Sequence, residues 1–160
     1  MRRVAAVLVW VAAVLVGATP VGAADDPAPC DLLTRKEIRR VFDQKAAAPT
    51  QELGPTFCQW VLAATADRAP GQVNALLETG KAAKRDYRLG RQLAGSLAER
   101  VDDLGKKAFF TPDTGTIYVL APGPALFYLQ ANVYDAEANR ITDGLRDQLV
   151  ELATDAEARL

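Results

Sequence analysis

The sequence contains two cysteines and no histidine, which limits the chemistry its side chains can do. A Ser-His-Asp or Cys-His arrangement needs an imidazole as its general base, so both arrangements are excluded. A metal site built on Cys30 and Cys58 would need further ligands, and histidine, the commonest of them, is absent. We therefore predict no catalytic residue, no metal site and no cofactor.

Two acidic motifs supply the remaining catalytic hypotheses. Asp113-Thr114-Gly115 matches the tripeptide around the catalytic carboxylate of aspartic proteases, but such an enzyme needs two facing carboxylates and the sequence has one copy. A homodimer would supply the second, whereas the preceding proline and the glycine favour an ordinary tight turn. Asp102-Asp103 would suit an acid–base pair or a cation, although adjacent loop carboxylates more often cap the backbone or are solvated. An enzyme is therefore the third-ranked function.

A basic stripe is predicted on the segment 81–97, where five basic residues recur at spacings of three and four. They are Lys81, Lys84, Arg85, Arg88 and Arg91. Outside a cell this stripe would meet anionic lipid headgroups or phosphate-bearing wall polymers, with an attraction that fades as salt rises. The competing interpretation is a solvated helix face. We predict at most a weak contact with anionic surfaces.

A candidate ligand face comes from the alternation of residues in the segment 125–134, which predicts a strand. One side is apolar, and the other begins with Leu126 and continues with polar and aromatic residues. The candidate ligand residues, with one tyrosine from the preceding strand, are Tyr118, Tyr128, Gln130, Asn132 and Tyr134. Tyrosine and amide side chains together suit sugars, peptides or flat ligands. The same composition is found on the wetter side of any antiparallel sheet, so both interpretations stay open.

The flanking sequence predicts the elements that position these residues. Thr34 and Glu37 form a capping box, which begins a helix over 35–43 with an apolar stripe from Leu33 to Phe42. After a linker at 45–55, strands are predicted at 57–64 and 72–77. The helix at 81–97 follows, and its inner face is predicted to carry Ala83, Tyr87, Gly90, Ala94 and Leu97.

Three further strands are predicted at 107–111, 116–121 and 125–134, joined by short turns that force antiparallel pairing. Asp135 is predicted to cap a final helix, whose buried stripe would be Ile141, Leu145, Leu149 and Leu152. The fold class is therefore α+β. We expect an antiparallel sheet of about five strands with helices packed on it, in the order α-β-β-α-β-β-β-α.

The N-terminus has the order of charged, apolar and small residues that is typical of a secretory signal peptide. Arg2 and Arg3 precede an apolar run from Val4 to Val16, which is short for a membrane span. We predict a signal peptide at 1–23, with cleavage after Ala24 as the close alternative and an uncleaved anchor as the weaker one. The secreted α+β domain then spans 24–160 and begins with a flexible leader at 24–29.

Both cysteines belong to this secreted part, and an even pair in an exported protein indicates a disulfide between Cys30 and Cys58. A redox pair, normally a closely spaced Cys-x-x-Cys, and a metal pair are the alternatives. The net charge of −1 falls to −3 without Arg2 and Arg3, so nothing attracts the whole domain to nucleic acid.

Three motifs together resemble a family of small secreted proteins and lipoproteins from actinobacteria. They are Pro29-Cys30-Asp31-Leu32-Leu33-Thr34, then Cys58-Gln59-Trp60, and later Leu104-Gly105-Lys106-Lys107-Ala108-Phe109. The resemblance implies an exported domain, and it supplies no activity. Many members of the family are lipid-anchored, whereas Cys30 lies too far from the apolar run to serve as a lipid-attachment cysteine.

These observations favour a non-enzymatic binding role at the cell envelope or outside the cell. The partner would be an extracellular ligand or an envelope protein, and we expect the domain to be a monomer. A protein-interaction or regulatory domain, such as a sensor or an inhibitor, is the second hypothesis.

Overall fold

The sheet has six strands, one more than predicted, and every neighbouring pair is antiparallel. The computed structural model describes residues 27–123, 125–136 and 144–160. The strands are β1 (Phe57–Leu62), β2 (Gly71–Thr79), β3 (Glu99–Val101), β4 (Lys107–Thr111), β5 (Thr116–Leu120) and β6 (Ala125–Asn132). Their order across the sheet is β1-β2-β6-β5-β4-β3. The predicted α+β class and antiparallel sheet are confirmed, and β3 is the strand that the prediction lacks.

Within the described ranges, three α-helices accompany the sheet: α1 (Arg35–Phe42), α2 (Lys81–Ala94) and α3 (Leu145–Glu157). The capping box that begins α1 is confirmed: the Glu37 amide donates to Thr34 Oγ1 at 3.3 Å, and the Thr34 amide donates to Glu37 Oε2 at 2.8 Å. These two bonds satisfy amides that the first turn of a helix leaves without partners.

One face of the sheet packs on α1 and α3 to form the main core. Alternate strand residues such as Trp60, Phe127 and Leu129 are fully buried there, together with Phe42 from α1 and Leu149 from α3. Side chains return to the same face at every second residue of a strand and at nearly every fourth residue of a helix, so these residues meet in one layer between the sheet and the helices.

The predicted disulfide is confirmed, since the sulfurs of Cys30 and Cys58 are bonded at 2.05 Å. Cys30 lies in a short 3-10 turn (Pro29–Asp31) that precedes α1, and Cys58 is fully buried in β1. The bridge therefore attaches this turn, not α1 itself, to the edge of the sheet.

The two ends of the described domain meet. The Arg159 guanidinium donates to the Leu32 carbonyl at 2.8 Å and to the Glu37 carboxylate. Pro27 and Leu160 line one cavity of about 300 Å³. The C-terminal end of α3 is thus tied to the segment around the first turn.

The middle helix and the final helix differ from the prediction. Helix α2 ends at Ala94, because Gly95 has a φ of +55° that a continuing helix does not allow. Leu97, predicted on the inner face, is 53 % exposed as a result. Helix α3 begins at Leu145 with Gly144 as its N-cap, so the N-cap of α3 is not the predicted Asp135.

Several predictions fall outside the described residues. They concern the signal peptide at 1–23 and its cleavage point, the first residues of the leader at 24–29, and Ile141 of the predicted stripe. Pro29, the last residue of the predicted leader, is buried at the start of the 3-10 turn.

Candidate functional site

Helix α2 covers only part of the second face of the sheet. Ala83 and Tyr87 of α2 pack there against a small separate core of Phe109, Leu120 and Leu126. Leu126, which the alternation placed on the ligand side of its strand, is therefore 2 % exposed and belongs to this packing. No residue of β1, of β2 or of the end of β6 belongs to this small core, and we call that part of the face the uncovered region. Helix α2 approaches only the last part of β2, where Asp86 interacts with Glu78.

Two of the predicted ligand tyrosines lie at the border of this covered region. The rings of Phe109 and Tyr118 are stacked with centroids 4.6 Å apart, and Tyr128 follows at 5.3 Å from Tyr118. Gly90 of α2 approaches the Tyr118 ring so closely that an added Cβ would lie 3.3 Å from it. Burial raises the pKa of both tyrosines. The Tyr118 ring packs against the small core beneath α2, and both tyrosines are half-buried.

The uncovered region carries a chain of hydrogen-bonded amides across three strands. Gln59 Nε2 donates to Gln72 Oε1 at 3.2 Å and to Asn74 Oδ1 at 3.0 Å. Asn74 Nδ2 donates to Gln130 Oε1 at 3.1 Å, and Gln130 Nε2 donates to the Thr114 carbonyl at 3.2 Å. The chain exists because Gln59, Asn74 and Gln130 are direct partners in the strand register.

Asn132 and Tyr134 extend this region at the end of β6. Together with Pro70, Gly71 and Gln72 they line an open cavity of about 370 Å³. Asn132 pairs with Gln72 in the strand register, so it continues the amide row on the same side of the sheet. We call the set Gln59, Gln72, Asn74, Gln130 and Asn132 the open amide face. Its central member, Asn74, is 4 % exposed, and the four others are half-buried.

The chemistry of the open amide face suits neutral polar ligands. An amide has two N–H donors and an acceptor oxygen, so it matches a hydroxyl or a peptide group in either direction. Gln59 uses both of its donors within the chain, whereas Asn74 and Gln130 use one each. The mutual hydrogen bonds hold the side chains in place before any ligand arrives, which lowers the entropy that binding costs. None of the five side chains is charged.

The sequence prediction found Gln130 and Asn132 but missed Gln59, Gln72 and Asn74. A signal was present, because all three are polar residues that alternate with apolar residues along their strands, although Asn74 is itself buried. The missing information was the pairing of β2 with β6, which brings together residues as far apart in sequence as Asn74 and Gln130.

The basic stripe divides into side chains with and without partners. Arg85 forms an ion pair with Asp86 at 2.6 Å, and Arg91 donates to the Gly95 carbonyl at 2.7 Å. The Arg91 guanidinium also lies 5.8 Å from the centroid of the Phe109 ring. Arg88 Nε likewise donates to the Lys84 carbonyl at 3.3 Å. Lys81, Lys84 and Arg88 are exposed and have no carboxylate partner among the described residues.

Asp86, the single acidic residue of α2, also interacts with neighbouring side chains. Burial raises the pKa of Glu78 in β2, and the neighbouring Asp86 raises it further. The hydrogen bond and charge of Arg85 hold the pKa of Asp86 below its ordinary value. Asp86 is thus engaged by Arg85 and Glu78, which leaves the outward side of α2 positively charged.

A second cavity, of about 390 Å³, lies between α2 and the connection from β3 to β4. Tyr87 and Phe109 contribute aromatic wall, and Arg91, Arg100 and Lys107 contribute positive charge. Of the two aspartates at its rim, Asp102 forms an exposed ion pair with Arg100 at 2.6 Å. An exposed ion pair is what we expect if the carboxylates of the Asp102-Asp103 motif are solvated or cap the backbone.

Asp113 lies exposed in the turn between β4 and β5. The Gly115 amide donates to the Pro112 carbonyl at 3.4 Å, and the Thr111 and Thr114 hydroxyls are hydrogen-bonded at 2.7 Å. The Asp113-Thr114-Gly115 tripeptide thus forms the ordinary hairpin turn that its proline and glycine favour.

Comparisons with known proteins add no assignment to this geometry. No family model, no curated protein and no solved structure matches the chain. In the described ranges, no group of three or more His, Cys, Asp or Glu side chains is placed to hold a metal ion. None of the helices described is long and apolar enough to cross a membrane.

Proposed function

We propose that this protein is an exported, non-enzymatic binding domain that acts at the cell envelope or outside the cell. Its ligand site is the open amide face, and the ligand class is an uncharged, hydroxyl-bearing molecule such as an envelope glycan. The observation that carries the proposal is the chain of hydrogen-bonded amides in the uncovered region of the sheet.

The composition of the face favours a neutral glycan over an ionic ligand. Amide groups can donate to and accept from sugar hydroxyls without the desolvation cost of a charge. Tyr134, half-buried beside Asn132, adds an aromatic ring with a polar tip at one end of the face. A charged ligand would find no opposite charge among the five amides.

The compartment is supported by the disulfide and by the N-terminal sequence. Disulfides persist in oxidising compartments and are rare in the cytosol. Intact-mass spectrometry of the protein from its native host tests this part. The expected mass begins at Ala24 or Asp25 and is two hydrogens lighter than the dithiol form. An uncut chain with free thiols would refute export.

The ligand class can be tested by NMR titration of the oxidised mature domain with chitotetraose, a neutral oligosaccharide that carries hydroxyl and amide groups. The side-chain amide signals of Gln59, Asn74 and Gln130 should move and saturate. Gln130→Ala should weaken binding about fivefold, because one lost hydrogen bond costs about 1 kcal/mol. Gln92→Ala, an exposed amide on α2, is the matched control and should bind like the wild type.

Two outcomes would contradict the proposal. If Gln130→Ala and Gln92→Ala bind the probe equally, the open amide face is not the site. If the sugar signals change into those of shorter products, the protein is an enzyme.

A further inference from the structure

Three leucines at intervals of four residues are exposed along α2 and the turn that follows it. Leu89 is 51 % exposed, Leu93 is 78 % exposed and Leu97 is 53 % exposed. A helix face whose role is solvation is expected to be charged or polar at these positions. Single exposed leucines are common, but a row of three, two on α2 and one in the turn that follows it, indicates a surface that something apolar covers.

The same element carries the unpaired positive charge of the domain's second face. Lys81, Lys84 and Arg88 have no carboxylate partner among the described residues, while Asp86 is engaged by Arg85. Exposed leucines beside lysines and arginines are the composition of a helix that lies in the interface of a bilayer. There the leucines enter the boundary of the acyl chains, and the basic groups contact lipid phosphates.

We propose that the outward side of α2 docks the protein on an anionic lipid surface. A soluble polyanion would satisfy the basic side chains, but it would leave the three leucines in water. A bilayer accommodates both kinds of residue, so the leucines decide between the two partners. This proposal does not depend on the ligand of the open amide face.

Helix α2 is already in place for this contact. Gly90 lies against the Tyr118 ring, and Arg91 lies over the Phe109 ring, so the helix is fixed to the sheet from beneath. Free amphipathic peptides must fold when they meet a membrane, which reduces their affinity. This helix has no such folding step, and a small number of leucines and charges therefore suffices for reversible binding.

Vesicle flotation of the oxidised mature domain tests the proposal. Vesicles of phosphatidylglycerol and phosphatidylcholine should bind the protein, and pure phosphatidylcholine should not. Lys84→Gln with Arg88→Gln should weaken binding about 25-fold, since each basic residue near an anionic surface contributes about a factor of five. Lys36→Gln with Arg39→Gln removes two exposed charges from α1 and should have little effect.

The leucines require their own variants. Leu89→Gln with Leu93→Gln should reduce binding to the anionic vesicles at least about tenfold, because apolar area no longer leaves water. Leu53→Gln is the matched control, since Leu53 is 75 % exposed in the linker before β1. All these side chains are exposed, so the variants should keep the wild-type near-ultraviolet circular dichroism.

Three results would overturn the proposal. The first is equal binding of the leucine variant and the wild type to anionic vesicles, which would leave only charge attraction. The second is equal binding of the wild type to neutral and anionic vesicles. The third is a wild-type dimer in analytical ultracentrifugation that Leu93→Gln dissociates, because a second copy would then cover the leucines. Weaker binding of the leucine variant than of the wild type to anionic vesicles, together with equal binding of the two to polyphosphate, would support it.

Discussion

Removal of the Cys30–Cys58 bridge is expected to lower the free energy of unfolding by about 3.5 kcal/mol. The value follows from the loop, because the cysteines are 28 positions apart and a cross-link removes from the unfolded chain the entropy of closing a loop of that length. A small domain is stable by about 5 to 15 kcal/mol, so the bridge supplies a large share of the total. Alanine at the fully buried Cys58 position would add a smaller cost from the cavity it leaves.

Urea unfolding of the wild type and of the Cys30→Ala, Cys58→Ala variant measures this loss. Trp60 is the one tryptophan of residues 24–160 and is fully buried, so its fluorescence reports unfolding of the main core. The midpoint should fall by about 2 M, given a denaturant dependence of about 1.5 kcal/mol per molar urea. A reducing agent should destabilise the wild type similarly and leave the variant unchanged.

The reasoning would be refuted by a loss below about 1 kcal/mol with an unchanged denaturant dependence, because the bridge would then not constrain the unfolded chain as the loop model requires. An increased denaturant dependence in the variant would show instead that the unfolded state has expanded, as the model expects.

Three further predictions concern the backbone and the first helix. Gly105→Ala should destabilise the domain by about 2 kcal/mol or more, because φ is +57° there and an added Cβ would lie 2.7 Å from a backbone oxygen of β5. Gly123→Ala is the control, since a Cβ added at Gly123 has no atom within 4 Å, and it should match the wild type in the urea assay. Thr34→Ala should cost about 1 kcal/mol in thermal unfolding through loss of the capping box, and Thr34→Ser should not. Burial raises the pKa of Glu37, but hydrogen bonds from Thr34 and Arg159 outweigh it and hold the folded-state pKa below 4.5. The stability that Glu37 adds is therefore complete above about pH 5 and is lost as the pH falls through the lowered pKa, so Glu37→Gln should flatten the acid limb of the stability curve. Equal stability of the two glycine variants, an unchanged melting temperature in Thr34→Ala, or an unchanged acid limb would contradict these expectations.

Apart from the disulfide, which followed from an even pair of cysteines, the features that the sequence predicted correctly depend on near neighbours. The capping box of Thr34 and Glu37 lies within four residues, and the turn between β4 and β5 within another four. Each has residue types whose backbone preference or hydrogen bonding requires that structure. The α+β class and the meander from β4 to β6 followed from such local signals.

The features that the prediction missed depend on distant pairing or on a single backbone angle. Strand β3 has only three residues, and two of them are exposed, so no alternation reveals it. The open amide face needs the pairing of β2 with β6, which no local pattern reports. The prediction of Leu97 on the inner face extends the helical repeat past Gly95, where the positive φ ends the helix and leaves Leu97 exposed.

Because the two ends of the described domain meet, the order of its elements along the chain can be changed without changing their arrangement in space. Because Pro27 and Leu160 line the same cavity, a short peptide could join them and a new opening could be made beside Leu53, in an exposed linker. In that circular permutant the Cys30–Cys58 bridge would close a loop of about 100 residues instead of the short N-terminal one, and the loop model assigns it about 1 kcal/mol more stabilisation. A fixed set of contacts would then yield a different stability solely because the chain runs through them in another order.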